Sequence, residues 1–226
     1  MKLSVIIPVY NERETIAEVI ERVKAVKLNK EIIVVDDGST DGTVEILRDQ
    51  REDGVLTVHE SKINFGKGSA VRIGLKYVTG DIVIIQDADL ELNPNEYYQL
   101  IQPILDGQTK IVYGSRFLRK NPGIPPLTLL ANKFLVLLTN LLYQSSLTDM
   151  ETAYKVFSAD ILNKLQLRCI GFELEPEITA KFLKAGLGIM ELPIEYQPRT
   201  VEGGKKINWR DGIKAILTLI KYRFVN

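Results

Sequence analysis

Cysteine and histidine are almost absent: the 226 residues hold one of each, Cys169 and His59. A single cysteine excludes an intrachain disulfide framework and fits a reducing compartment. A single histidine argues against a histidine-built metal site and removes many hydrolase readings. A surplus of charge is missing too. Lys+Arg and Asp+Glu tie at 29 each, so the chain lacks the basic excess of a general nucleic-acid binder, and no nucleic-acid partner is expected. No uninterrupted apolar run reaches the roughly 18 residues of a membrane span, so no spanning helix is expected. No secretory leader pattern opens the chain, because Met1-Lys2 leads straight into an apolar run that ends at Pro8. Internal repeats and low-complexity tracts are also lacking.

The chain is 45% hydrophobic, enough to bury a core as one domain over residues 1–226. Its first half alternates two periodicities. Apolar, β-branched runs at 3–8, 31–35, 55–59, 81–86 and 110–113 predict strands. Between them, 14–26, 43–50 and 67–78 carry helical spacing, with Ile16, Val19, Ile20 and Val23 on one face of the first. This alternation predicts an α/β fold, a mostly parallel sheet with helices on both faces, and ligands beyond the carboxyl ends of the strands. The second half differs. A proline-rich loop at 121–126 precedes an apolar helix at 127–143 whose one charge is Lys133; a late strand at 189–196 and an amphipathic helix at 208–224 follow.

Polar clusters stand where three of these strands end: Pro8-Val9-Tyr10-Asn11-Glu12, Asp36-Asp37-Gly38-Ser39 and Asp87-Ala88-Asp89-Leu90-Glu91. Singly, each reads equally well as a loop that caps the next helix. Together they mark one edge of one sheet. Carboxylates at Asp87 and Asp89, one residue apart, can face the same way, and oxygen-only ligands suit a hard cation such as Mg2+ or Mn2+. The loop Asn64-Phe65-Gly66-Lys67-Gly68-Ser69 offers backbone amides, with Gly66 and Lys67 as candidates to approach a phosphate, or an ordinary helix-entry turn. It is neither a Walker A loop nor a dinucleotide fingerprint.

These motifs, with Val34-Val35-Asp36-Asp37-Gly38-Ser39-Thr40-Asp41, Gly114-Ser115-Arg116-Phe117, Thr148-Asp149-Met150-Glu151-Thr152-Ala153-Tyr154-Lys155 and Gly171-Phe172-Glu173-Leu174-Glu175-Pro176-Glu177, resemble glycosyltransferase family 2. The likeness is to its dolichyl-phosphate mannose synthase and polyprenyl-phosphate branch. The resemblance implies the GT-A fold, with a nucleotide-binding half at 1–118 and an acceptor-binding half at 119–226. It implies inverting transfer of a hexose from GDP-mannose or a UDP-sugar to a polyprenyl phosphate, assisted by Mg2+ or Mn2+. It assigns Pro8, Tyr10, Glu12, Asp36 and Asp37 to the nucleoside, Asp87 and Asp89 to the metal and sugar phosphate, and Arg116 to phosphate. Glu91 stands where this branch often has Gln and is taken as a third metal ligand. A sugar nucleotidyltransferase, the rival enzyme, would need a glycine-rich loop after the first strand, and Val9–Glu12 has no glycine.

The acceptor decides the rest of the chemistry. A hydroxyl needs a general base, for which Asp149 is the best candidate, the alternative being a cap or positioning carboxylate. A lipid phosphate is already ionised and needs cations, for which Arg116, Arg199, Lys205 and Lys206 are candidates. Glu173, Glu175 and Glu177 read as structural acids around a first helical turn containing Pro176. The helix at 127–143 is expected to lie in the core, at a dimer contact or in a membrane interface. From Lys205 onward six Lys/Arg accompany one acid, Asp211, beside an apolar face. That pattern favours a peripheral membrane surface, on the cytoplasmic face. Relatives of this branch often carry spanning helices after the catalytic domain. None follows here, so attachment is expected to be peripheral or through a homo-oligomer or a membrane-protein partner.

Overall fold

β1 (Leu3–Val9) is buried along its whole length, as the Leu-Ser-Val-Ile-Ile-Pro-Val sequence requires of a strand covered on both faces. The computed structural model describes residues 1–50, 55–199 and 209–225. In these, β1 pairs in parallel with β2 (Lys30–Asp36) and β4 (Ile82–Ile85), and β2 with β3 (Leu56–Glu60). The full order is β3-β2-β1-β4-β6-β5-β7, completed by β5 (Ile111–Ser115), β6 (Lys155–Ser158) and β7 (Met190–Pro193). Six strands run in parallel; β6 is antiparallel to both neighbours.

Side chains alternate across this sheet. Val5, Ile7 and Val9 pack with α1 (Ile16–Ala25), α2 (Thr43–Asp49) and α4 (Tyr97–Leu105), whereas Ile6 faces Val71 of α3 (Lys67–Leu75) and Phe182 of α6 (Leu174–Lys184). Between β1 and β4 the chain order reverses, which opens a crevice at their carboxyl ends. Pro8 is tolerated here for a geometric reason. Ile6 O accepts from Gln86 N on the β4 side and Val9 O accepts from Asp37 N on the β2 side. Pro8, in step with Ile6, therefore turns to the β4 side, where the β4 pairing has already ended at Ile6.

Two elements depart from the sequence expectation. α4 was not foreseen, because Pro103 stands inside it. β6 was missed because it is short and opens on a charged residue, Lys155. α5 (Pro126–Tyr143) bears on a third point. It spans 18 residues, most of them not buried, and by length and composition alone it is long enough to cross a membrane. It packs by one side, through Leu135 and Val136, on Ala215 and Leu219 of α7 (Trp209–Phe224), and Tyr143 Oη donates to Leu219 O. The other sides carry apolar stripes. Leu127, Leu130, Phe134, Leu137 and Leu141 are exposed on α5, as are Trp209, Ile213, Leu217, Ile220 and Phe224 on α7.

Candidate active site

The three polar clusters meet at the β1–β4 crevice, each built by its own strand end. After β1, Asn11 adopts a left-handed φ of 49°. Its Oδ1 accepts from Thr40 N at 2.8 Å and its own N donates to Ser39 Oγ at 2.9 Å, which stitches the β1 loop to the β2 loop. After β2, Asp36 is fully buried and caps its own turn, accepting from Gly38 N and Ser39 N. Asp37 is not turned to open space. Its two oxygens accept from Phe65 N at 3.0 Å and Gly66 N at 2.6 Å, so it clamps the glycine loop. Burial raises its carboxyl pKa and the two amides oppose that rise. Gly66 has φ +106°, and a Cβ there would stand 2.5 Å from Ile170 O, so only glycine fits.

That loop delivers Lys67 to the crevice. Its Nζ lies 2.6 Å from Asp87 Oδ1 and 3.0 Å from Glu175 Oε1. Burial alone would discharge Lys67, but Asp87 and Glu175 outweigh it and hold the ammonium charged. Glu175 also meets the fully buried Lys155 at 2.5 Å. The Lys155 ammonium donates to Met150 O and Thr152 O and stands 4.8 Å from the Tyr113 ring. A buried relay thus runs from Lys155 through Glu175 and Lys67 to Asp87.

Asp89 pairs instead with Arg199. Arg199 Nη2 donates to Asp89 Oδ2 at 3.0 Å and Nη1 to Glu12 Oε2 at 3.0 Å. Its Nε lies 4.0 Å from Glu91 Oε1. Burial, then the neighbouring Asp87 and Glu91, push the Asp89 carboxyl up to about 7. Leu90, between the two acids, takes φ +62°, a conformation costly for a residue with a Cβ. Beyond that kink Glu91 turns back. Its oxygens accept from Tyr196 Oη at 3.0 Å and Arg199 N at 2.7 Å.

A divalent ion can be tested against these groups. Among the described residues no three His, Cys, Asp or Glu side chains gather as a ready ligand set. Glu91, the expected third ligand, has its oxygens on Tyr196 Oη and the Arg199 backbone N. Asp87 and Asp89 do fit. Mg2+-type sites use one or two carboxylates and complete their shell with substrate phosphates and water. Charge agrees as well. Among the described residues, the five carboxyl groups of Glu12, Asp87, Asp89, Glu91 and Glu175 meet the three cations Lys67, Lys155 and Arg199, so the cluster is rich in acids.

Further along the sheet, Arg116 follows β5 and pairs with Asp149. Arg116 Nε and Nη2 donate to Asp149 Oδ2 and Oδ1 at 2.7 and 2.8 Å, and Arg116 N adds a third bond at 2.9 Å. Asp149 is fully buried, and its backbone N donates to Glu191 Oε1. Burial disfavours the Arg116 charge, and Asp149 more than restores it. The guanidinium lies 5.6 and 5.2 Å from the Phe117 and Tyr196 ring centroids. As a base Asp149 is poorly disposed, because both oxygens already accept from Arg116.

Lys205 and Lys206 lie outside the described residues. Pro8 is buried in β1 and Tyr10 is half-exposed beyond its end. Sequence reasoning missed Gln86, buried behind Asp87, whose Oε1 accepts from both Tyr97 Oη and Tyr154 Oη. It also missed Glu191, Tyr196 and the buried Lys155. Only Lys155 left a signal, a charge inside the apolar stretch Tyr154–Phe157.

Comparison with known proteins gives the family and the fold. The family model for glycosyl transferase family 2 matches residues 4–165. A dolichol-phosphate mannosyltransferase of Pyrococcus furiosus is 33% identical over 187 residues, 80% of this chain and 53% of that protein. The low-salt glycan biosynthesis hexosyltransferase Agl6 of Haloferax volcanii is 32% identical over 206 residues, 88% of this chain and 49% of that protein. The chain therefore spans about half the length of these two relatives. Glucosyl-3-phosphoglycerate synthase of Mycobacterium tuberculosis, solved with Mn2+, uridine diphosphate and glucosyl-3-phosphoglycerate, superposes with TM-score 0.73 at 22% identity, covering 98% of this chain and 79% of that one. With the sheet order, the strand-end acids and the family match in agreement, the chain is a glycosyltransferase of GT-A fold and belongs to glycosyltransferase family 2.

Proposed function

We propose that the chain transfers a hexose, with inversion, from GDP-mannose or a UDP-sugar to a polyprenyl phosphate such as dolichyl or undecaprenyl phosphate, at a membrane surface. One observation carries this reading: Asp149, the residue best placed in sequence to act as base, is fully buried with both oxygens engaged by Arg116. A hydroxyl acceptor must lose a proton as it attacks. A phosphate, with a second pKa near 6, is ionised already and needs a cation to hold it. Arg116, held in orientation by Asp149 through Nε and Nη2, supplies that cation through the Nη1 side of its guanidinium.

Asp87 and Asp89 would hold Mg2+ or Mn2+, which when bound offsets charge on the leaving diphosphate. The protein's own part is positional. Lys67, kept charged by Asp87 and Glu175, stands at the start of α3 beside the same carboxylate. Its place suits contact with donor phosphates once Asp87 turns to an ion. The Asn11–Thr40 and Asp37–Gly66 bonds fix the loops around the nucleoside seat assigned to Pro8, Tyr10, Glu12, Asp36 and Asp37.

The exposed stripes of α5 and α7 support the membrane part of the reading. Each is a helix with one packed side and one apolar side, and Arg210, Lys214, Lys221 and Arg223 add positive charge on α7. α5 begins at Pro126, ten residues after Arg116, so the proposed phosphate seat and the apolar surface arise from one connection. The name of the Pyrococcus furiosus relative points to the same acceptor class.

One observation favours a second reading, transfer to a hydroxyl. Glu151 Oε1 is buried with no hydrogen-bond partner among the described residues. Burial, then Glu175, pushes its carboxyl up to about 7, suited to a base at neutral pH. The test is release of nucleoside diphosphate from GDP-mannose and UDP-sugars with Mn2+, with and without a short polyprenyl phosphate. Stimulation by the lipid phosphate, retained in Glu151→Gln, is expected. Indifference to every prenyl phosphate would overturn the reading.

A further inference from the structure

Arg199 is the cation that three carboxylates share. Its guanidinium reaches Glu12 from the β1 loop at 3.0 Å and Asp89 from the β4 loop at 3.0 Å, with Nε 4.0 Å from Glu91. Glu91 also accepts from the Arg199 backbone N at 2.7 Å, so both main chain and side chain are drawn to this point. Arg199 closes the cluster from 187 residues away in sequence. The pairing with Asp89 engages one of the two carboxylates that fit a divalent ion. Arg199 sits on Oδ2 of Asp89 while Oδ1 accepts from Glu91 N, and a guanidinium 3.0 Å from that carboxylate opposes the approach of a second cation to it.

We infer that Arg199 is a resident stand-in for the divalent ion: it holds Glu12 and Asp89 together before the ion enters, and competes with it for Asp89. This rests on the metal-assisted reading above. Compared with carboxylates left bare, the arrangement has a physical logic. Three acids crowded at a crevice repel one another, and an arginine with five fixed donors satisfies several at once. The same guanidinium, once released, remains beside the seat where two phosphates of negative charge would lie. It then serves the diphosphate with paired hydrogen bonds. Arg199 thus trades carboxylates for phosphates as the ion and donor bind, and ion binding and donor binding become coupled through one side chain.

The competition has a measurable sign. An occupant present about nine-tenths of the time weakens the ion's apparent affinity about tenfold. Removing it should tighten ion binding and loosen diphosphate binding, opposite effects from one substitution. The probe is Mn2+ itself, followed by the electron paramagnetic resonance signal of the free ion, in wild type, Arg199→Met and Arg199→Lys, with and without nucleoside diphosphate. Without nucleotide, Arg199→Met is expected to bind Mn2+ about tenfold more tightly, with Arg199→Lys between it and wild type. The rise in unfolding temperature caused by Mn2+ should be larger in Arg199→Met than in wild type, which reads the same coupling through folding and shows that the variant folds. With saturating Mn2+, the affinity of Arg199→Met for nucleoside diphosphate should fall. If wild type binds Mn2+ and Arg199→Met binds it equally or more weakly, the inference is overturned while the metal-assisted reading stands. If no form binds Mn2+ even with nucleoside diphosphate present, the metal-assisted reading fails and the inference falls with it.

Discussion

Two arginines stand along the carboxyl edge of the sheet, and their surroundings are opposite. Arg116 has one carboxylate, fully buried and matched donor for acceptor. Arg199 has three, one from the β1 loop and two from the β4 loop, none matched to it alone. The first pair is balanced and closed, so either member left alone would be an uncompensated buried charge. The second is unbalanced and shared, so its members can change partners at small cost. A fixed ion pair orients a group; a shared one leaves it ready to exchange. The candidate site holds one of each.

The largest expected effect falls on the fixed pair. Asp149→Ala leaves Arg116 charged and buried, and should lower the unfolding free energy by about 3–5 kcal/mol, read from denaturant midpoints. A loss below about 1 kcal/mol would mean that Arg116 relaxes to solvent and is not fixed at all. Asp89→Asn is the matching change at the shared site. It should cost at most about 1 kcal/mol of stability, since Arg199 keeps Glu12, while nucleotide-sugar turnover collapses. Equal stability losses in the two variants would erase the distinction between the pairs.

The relay sits between these extremes. Glu175→Gln removes the negative charge that Lys155 and Lys67 share, leaving Asp87 as the carboxylate on Lys67 and Met150 O, Thr152 O and the Tyr113 ring beside Lys155. About 2–3 kcal/mol of destabilisation is expected, with turnover falling as Lys67 loses its second anchor. Far from the crevice, Glu31 offers a pH test. Burial opposes its charge, but hydrogen bonds from Lys2, Ser4 and Thr79 win and lower its pKa from 4.5 to about 2. A depressed carboxylate stabilises the fold above its unfolded pKa and loses that contribution as pH falls through its folded one. Stability should therefore decline between pH 4.5 and about 2, and Glu31→Gln should flatten that part of the curve. The smallest effect on stability is expected at Leu137→Glu on the exposed side of α5, within about 0.5 kcal/mol. Binding to anionic lipid vesicles should nonetheless weaken, as read by co-sedimentation.

Much of this architecture was legible in the sequence because its signals are local. Buried parallel strands announce themselves as β-branched runs, and the strand-end acids follow them directly. Ile16, Val19, Ile20 and Val23 are buried as their spacing demands. What was illegible is tertiary. Nothing near Arg199 marks Glu12 or Asp89 as partners, and nothing near Asp37 shows that its carboxylate serves the glycine loop. Glu91 was placed among the ligands by the family resemblance alone, and nothing local in the sequence marks its bonds to Tyr196 and the Arg199 backbone. β6 escaped notice because its first residue is a lysine, buried only because Glu175 arrives from a distant helix.

A crystal structure with Mn2+ and a nucleoside diphosphate would test the contrast between the two arginines most directly. The account predicts Arg116 still paired with Asp149, the ion on Asp87 and Asp89, and the Arg199 guanidinium moved from Asp89 to the diphosphate. An ion bound while Arg199 still holds Asp89, or a broken Arg116–Asp149 pair, would contradict it.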